Sequence, residues 1–427
     1  MKAISIGLLG LGTVGTGVVR LLQKLNAQRQ ESYKLKTILV SDLAKPRKVD
    51  LSGIKLTSQV EEIVADPEIE IVVEAIGGIE PAFKYISQAL QNRKHVVTAN
   101  KALIAVRGRE LFKTADENGV ELLFEASVGG GIPIIKSLRE GLAANEIEEM
   151  YGILNGTANY ILSRMHQDDL EFAEALKEAQ LKGFAEADPS LDVEGGDAAH
   201  KLTILALLAS NSWVEFNRLY VEGITNITGL DIKFAKQFGY TVKLLAVYRR
   251  LSEGLDIRVH PTLVPDSHLL AAVNRELNAV FVKGDYAGET LFYGPGAGER
   301  PTASSIVSDI ISLSRKSLDP ESNILNDMVI SGNHSLRLIP LKELKNRFYL
   351  RFFTKDIPGV LAKIAGVLGE NGISIASVVQ LETDLQDDYV PVVILTHEAS
   401  EESMEEALGK IGRFDFVKEK YLRLRLF

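Results

Sequence analysis

Cysteine is absent from all 427 residues. That excludes disulfides, cysteine-based zinc sites and any thiolate nucleophile, including the acyl-enzyme chemistry of aldehyde dehydrogenases. Long apolar runs are missing too, and none approaches the roughly 20 residues that span a bilayer. The opening MKAISIGLLGLG lacks the charged segment and cleavage site of a signal peptide. A cytoplasmic location and no membrane partner are expected. Positive charge is not in excess: the net charge is −9, so no nucleic-acid partner is expected. The seven histidines are scattered without metal-ligand spacing, so no zinc site is expected. There is no low-complexity tract and no solenoid repeat.

What is present is an ordinary globular balance, 46% hydrophobic and 25% charged, over a length that calls for two to four domains. Residues 3–10 (AISIGLLG), 36–41 (KTILVS), 69–78 (IEIVVEAIGG), 95–101 (HVVTANK) and VELLFEASV read as strands. Helical patterns lie between them: VGTGVVRLLQKL, SQVEEIVADP, PAFKYISQALQNRK and RGRELFKTADENG. This alternation predicts an α/β fold with a Rossmann-type doubly wound parallel sheet. After GGGIP (129–133) the texture changes to long helices and to strands alternating over 255–262 and 278–293, an α+β segment. GPGAGERPTASSIVSDIISLSR (294–315) is a glycine loop leading into an apolar helix, expected to return to the first domain. Residues 331–347 read as a connection. From FYLRFFT onward the order is β-α-β-β-α-β, a ferredoxin-like unit.

Gly10-Leu11-Gly12-Thr13-Val14-Gly15 is G-x-G-x-x-G following a strand and opening a helix. In that context it predicts a dinucleotide site. Gly10 permits the turn, Gly12 lets the backbone approach a pyrophosphate, and Gly15 lets helix and strand pack closely. The helix N-terminus offers N–H groups to the phosphates. Beyond the second strand, Asp42 can accept from both ribose hydroxyls, favouring NAD. Lys45 and Arg47 follow at once and can pair a 2′-phosphate, favouring NADP. The balance leans to NADP with NAD tolerated, against a plain solvated turn. Lys101 ends a strand at the sheet edge where such folds bind ligands. Glu125 and the glycine loop 127–131 offer a carboxylate and carbonyls to a hard cation.

The segment 182–210, KGFAEADPSLDVEGGDAAHKLTILALLAS, sets five carboxylates before a strongly apolar helix. Asp197 and Lys201 are four apart and share a face. They are either a local ion pair or part of a site. Glu186, Asp188 and Asp192 just upstream favour a site: clustered carboxylates suit a substrate ammonium, and a lysine suits proton transfer at a carbonyl or hydroxyl oxygen. Glu194 and the run 146–149 read as solvated.

Motifs in order along the chain then resemble the homoserine dehydrogenase family in its single-function form with a C-terminal ACT domain. They are GLGTVG (10–15), AIGG (75–78), TANKALIA (98–105), EASVGGGIPII (125–135), LNGTANYIL (154–162), GFAEADPSLDVEGGDAAHKL (183–202) and GPGAGERPTASSIVSDI (294–310). The resemblance implies interconversion of L-homoserine and L-aspartate 4-semialdehyde with NADP or NAD. It implies substrate contacts from Gly183, Glu186, Asp192 and Asp197, with Lys201 as proton donor and Lys101 near nicotinamide and substrate. It implies cofactor contacts from Thr13, Val14 and Gly298, and a monovalent cation, sodium, at Glu125, Val128, Gly130 and Ile132. The implied domains are 1–133 with about 300–330 for the dinucleotide, 134–300 for catalysis and dimerisation, and 347–427 for an ACT regulatory domain. Residues 354–380 resemble the first half of such a domain, with Asp356, Pro358 and Gly359 at its ligand turn and Asn371-Gly372 before its second strand. L-threonine is the implied effector, against a purely structural role for the module. The apolar helix 304–315 and the ACT unit together imply a homodimer or homotetramer.

Overall fold

The computed structural model describes residues 4–28, 33–316, 336–380, 389–418 and 421–427. The stretch 317–330 of the expected dinucleotide domain lies outside the described residues. The chain folds into two compact units, one of residues 1–154, 199–219 and 277–336, the other of 155–198, 220–276 and 337–427.

The first unit is built on a six-stranded sheet of β1 (Ile4–Leu9), β2 (Tyr33–Leu39), β3 (Lys55–Thr57), β4 (Ile71–Glu74), β5 (His95–Thr98) and β6 (Leu122–Leu123), in the order β3-β2-β1-β4-β5-β6. Every neighbouring pair is parallel. The central strands are continuous apolar runs because both faces are covered: Leu8, Val72, Val73, Val96 and Val97 are fully buried. The order reverses between β1 and β4, and the strand ends open a crevice there. Helix Glu299–Lys316 completes this layer. Ala303, Ile306, Val307 and Ile310 join Ile6, Leu8, Val18 and Leu22 in one core. Each such Ile, Leu or Val contributes about 1.5–3 kcal/mol by leaving water. A Cβ on Gly17 would come 2.7 Å from the Glu299 carbonyl oxygen, so glycine sets how closely that helix approaches helix Thr13–Gln28. Strands Ile147–Ile153, Leu277–Gly284 and Gly288–Pro295 form an antiparallel group in the same unit.

In the second unit, Tyr240–Leu251 and Gly254–Pro265 make a long antiparallel hairpin. The C-terminal β-α-β-β-α-β order is as expected. Its strands run Leu422–Leu426, Phe348–Lys355, Tyr389–Thr396, Ile375–Gln380 across the sheet, each antiparallel to the next. Phe348, Leu350 and Phe352 pack with Ile364, Leu368, Met404 and Leu408 of helices Val360–Glu370 and Glu401–Ile411. Alternation turns Tyr349 and Arg351 to the other face, where both bond Asp231. The last strand also pairs in parallel with the hairpin, Thr262 opposite Arg425 and Leu263 opposite Leu426. Among the described residues, no helix is long and apolar enough to cross a membrane.

Candidate active site

The first strand hands its chain to the glycine turn. Gly10 has φ +97°, and a Cβ there would come 2.8 Å from the Ala75 carbonyl oxygen. A Cβ on Gly15 would lie 2.2 Å from the Gly10 oxygen, so turn and helix pack backbone to backbone. A Cβ on Gly12 would meet nothing within 4 Å. That open side, beside the first turn of helix Thr13–Gln28, is the room a phosphate needs. The residues present therefore fit a dinucleotide.

A cleft of about 210 Å³ opens beside this turn, lined by Val14, Glu74, Ala75, Ile76, Gly77, Ala99 and Asn100. Glu74 organises it, and the sequence reading passed it over. It is fully buried at the end of β4. One carboxylate oxygen accepts from the amides of Ile76 and Gly77 at 2.8 and 2.9 Å, and the other accepts from the Thr98 hydroxyl. Thr98 accepts in turn from the Asn100 amide at 3.0 Å, and Asn100 donates to the Gly78 carbonyl at 2.6 Å. Asn100 also caps helix Lys101–Glu117 through the Leu103 amide. Lys101 is thus the first residue of a capped helix, where the strand reading had placed it at a strand end. The signal for Glu74 was a lone carboxylate closing an apolar run.

Beyond β2, the Asp42 carboxylate accepts from the Ala44 amide at 2.8 Å. Arg47 folds back on its own loop, donating to the carbonyls of Asp42 and Lys45. Asp42, Lys45 and Arg47 have exposed or half-buried side chains.

The carboxylate cluster divides into tied and open members. Asn155 caps helix Gly156–Asp168 through the Ala158 amide at 2.7 Å. Its Nδ2 donates to Asp192 at 2.6 Å and to Asp197 at 2.8 Å. One amide thus draws two carboxylates together, and Asp197 is only 2% exposed. Such a pair favours a cation between or beside them. Asn155 lay within a quoted motif but carried no expected role; its signal is an Asn-Gly-Thr helix start. Glu186 is exposed, and Gly183 turns the chain after helix Phe172–Leu181 with φ +77°. Asp188 accepts from the Ser190 amide and hydroxyl, which holds the turn and draws its carboxyl below the usual range.

Lys201 lies one turn after Asp197 on helix Gly196–Ser210 and is 7% exposed. Its Nζ donates to the Leu154 carbonyl at 2.6 Å. His200 instead stacks on Phe216 at 4.3 Å.

The glycine loop after β6 differs from its expected reading in one respect. Glu125 begins a short 3₁₀ turn, and its two carboxylate oxygens accept from the amides of Ile135 and Lys136 at 3.0 and 2.7 Å. The carboxylate is committed to backbone donors, so the loop's offer to a cation lies in its carbonyl oxygens. Burial pushes Glu125 up to about 6. The Gly130 carbonyl accepts from Ser305 at 2.6 Å, and that of Ile132 from the Ile134 amide at 2.8 Å. Among the described residues, no group of three or more Asp, Glu or His side chains is placed to hold a metal ion. The loop lies against the second glycine loop: the Gly131 amide donates to Pro295 at 3.2 Å. Gly298, at φ +122°, accepts from the Thr302 amide in the first turn of helix Glu299–Lys316.

At the turn expected to face an ACT ligand, Gly359 has φ +92° and precedes helix Val360–Glu370, whose N-terminus has no side-chain cap. Asp356 accepts from Gln380 at 3.1 Å, and Asn371 from Lys410 at 2.9 Å.

Residues 10–125 match the model of the homoserine dehydrogenase NAD binding domain, 133–311 that of homoserine dehydrogenase, and 348–413 that of the ACT domain. A homoserine dehydrogenase of Pseudomonas aeruginosa is 44% identical over 100% of this chain and 99% of its own. One of Bacillus subtilis is 44% identical over 98% and 97%. The solved homoserine dehydrogenase of Thiobacillus denitrificans superposes with a TM-score of 0.93 at 44% identity, covering 100% of this chain and 99% of that one. A hyperthermophilic archaeal homoserine dehydrogenase in complex with NADPH matches with a TM-score of 0.64 at 26% identity, over 74% of this chain and 98% of that one. With cofactor turn, carboxylate helix and C-terminal module all matched, and identity carried end to end, the chain belongs to the homoserine dehydrogenase family of oxidoreductases, in the form that ends in an ACT domain.

Proposed function

We propose that the enzyme interconverts L-homoserine and L-aspartate 4-semialdehyde, with NADP as its preferred cofactor and NAD accepted. The observation that carries the substrate reading is the Asn155 amide tying Asp192 to Asp197. Two carboxylates drawn together by one neutral amide suit a substrate ammonium. Glu186 and Gly183, on the exposed turn before them, complete the amino-acid contacts.

Lys201 holds or releases the proton of the reacting oxygen, and Asp197 one turn earlier anchors the ammonium end. Gly10, Gly12, Thr13, Val14, Gly15 and Gly298 hold the dinucleotide, which when bound exchanges hydride with the substrate carbon. Lys101 orients substrate and nicotinamide at the capped helix start. Lys45 and Arg47 meet the 2′-phosphate; the NADPH named for the archaeal relative supports this choice. Glu125, Val128, Gly130 and Ile132 would hold a sodium ion through oxygens of the hard type it takes. L-Threonine acts through the ACT domain, and the enzyme works as a dimer or tetramer.

Homoserine oxidation measured with NADP and with NAD tests substrate and cofactor together. Lys201→Ala lowers kcat by orders of magnitude while cofactor binding survives; a kcat near wild type removes the acid–base role.

A further inference from the structure

Lys201 shares its carbonyl. The Leu154 oxygen accepts from Lys201 Nζ at 2.6 Å and from Asn278 Nδ2 at 2.9 Å, so the two nitrogens lie within 5.5 Å of each other. Asn278 is 1% exposed, on strand Leu277–Gly284 opposite Gly294. The second glycine loop closes over it: a Cβ on Gly296 would come 2.1 Å from the Asn278 amide carbon and nitrogen. Only glycine lets that loop backbone lie so close. On its other side, the amide oxygen is buried and meets no donor among the described residues. Burying an acceptor without a donor is unfavourable. The fold tolerates it at an amide clamped so that its donor side faces Leu154.

We propose that Asn278 is the positioning residue for Lys201, fixing the carbonyl on which the ammonium rests and sharing that oxygen with it. This rests on the reading of Lys201 as the acid–base group. The chemistry explains the residue type. A neutral amide orients the carbonyl without adding charge. It also competes for the oxygen's lone pairs, so the carbonyl holds the ammonium less tightly than it would alone. A carboxylate at the same position would hold the proton on Lys201 and oppose its release.

Two variants of nearly unchanged size separate positioning from packing. Asn278→Asp adds negative charge beside the ammonium. Asn278→Leu removes the donor and leaves the carbonyl to Lys201. In homoserine oxidation the neutral amine takes the proton, so kcat rises with pH through the limb that Lys201 governs. Asn278→Asp moves that limb to higher pH by about one unit. Asn278→Leu moves it in the same direction by less and lowers kcat about tenfold. Cofactor affinity, read by fluorescence titration, stays within about twofold. Should Asn278→Leu not fold, Asn278→Ser, smaller but still a donor, replaces it and leaves the limb nearer wild type than Asn278→Asp does. A residue that merely packs would lower stability and kcat and leave the limb in place, and an unmoved limb in Asn278→Asp overturns the proposal. Lys201→Ala distinguishes the two levels. If it retains the wild-type limb, the acid–base reading falls and this one with it. If it is inactive while the Asn278 limbs do not move, only the positioning role falls.

Discussion

Arg425, on the last strand of the C-terminal sheet, donates to Glu222 at 2.9 Å, and the guanidinium is 1% exposed. The same side chain forks onto Glu401 at 2.6 and 3.0 Å. From Glu222 the backbone leads back to the carboxylate cluster. The Ile224 amide donates to Val193 at 2.8 Å, and a Cβ on Gly223 would lie 2.3 Å from the Val193 oxygen. Val193 follows Asp192 directly. One buried cation therefore links the C-terminal sheet to the segment that carries Asp192.

Removing that cation takes from Glu401, itself 2% exposed, its two-pronged partner and leaves it Arg258 at 3.6 Å, Arg423 at 3.4 Å and the Asn346 amide at 2.7 Å. Arg425→Met is expected to destabilise the protein by about 1.5–3 kcal/mol, because Glu401 loses its charged hydrogen bonds to Arg425 while keeping the longer contacts to Arg258 and Arg423. The double variant Arg425→Met with Glu401→Gln should recover part of the loss. Denaturant unfolding of the three proteins checks this, and an unchanged midpoint in the single variant would contradict it.

Asn155 holds two carboxylates that would otherwise repel. Asn155→Leu is expected to raise KM for homoserine about tenfold or more, the loss of roughly one charged hydrogen bond, with cofactor affinity kept. Steady-state kinetics at saturating cofactor decide it. A change confined to kcat would argue against an ammonium site at Asp192 and Asp197.

Two of the turn glycines, Gly12 and Gly15, should fail differently. Gly12→Ala meets no protein atom within 4 Å, so the melting temperature should hold while dinucleotide affinity falls. Gly15→Ala places a methyl 2.2 Å from the Gly10 oxygen, and stability itself should drop, by about 1–3 kcal/mol. Thermal melts with and without NADP separate the two outcomes.

Lys243 has a fully buried side chain, and burial pulls it down to about 7. Among the described residues its nitrogen hydrogen-bonds neutral oxygens, the Val273 carbonyl, Asn159 at 3.2 Å and Asn274 at 3.4 Å. An unfolded lysine keeps its proton to about pH 10.4. Between those values the unfolded chain binds more protons, so stability rises as pH climbs from about 7 to 10. Below 7 the folded protein must bury the charge and gains nothing further. Lys243→Met loses its hydrogen bonds at every pH, so its absolute stability is not diagnostic. Its stability difference from wild type, followed by unfolding at several pH values, should widen over that window. A constant difference would mean that Lys243 is buried as a cation.

The parallel sheet was legible because its strands are apolar runs separated by glycine turns, and GLGTVG carries its own mechanism. Strand Lys55–Thr57 was not, being three residues long with no run to detect. Strand Tyr240–Leu251 was passed over for the opposite reason. It is buried on both faces for most of its length, so its side chains do not alternate. Residues 125–127 read as the end of a strand, but the Glu125 carboxylate bends the chain to cap a helix ten residues on. Within the site, Asp192, Asp197 and Lys201 were visible as charges at an apolar helix. Their holders, Asn155 and Asn278, were not. An asparagine's role depends on which amide or carbonyl faces it, and Asn278 meets Leu154 across 124 residues.

The parallel pairing of the final strand with the hairpin strand Gly254–Pro265 makes the C-terminal sheet a continuation of the hairpin's sheet. Hydrogen bonds across that seam mean the module and the hairpin share one cooperative unit of unfolding. Amide exchange should report a single opening energy for Leu263 and Leu424. Cutting the chain near residue 345 would expose a bare strand edge and strip Glu222 of its cation. What such a cut probes is then the folding of the enzyme as much as its regulation.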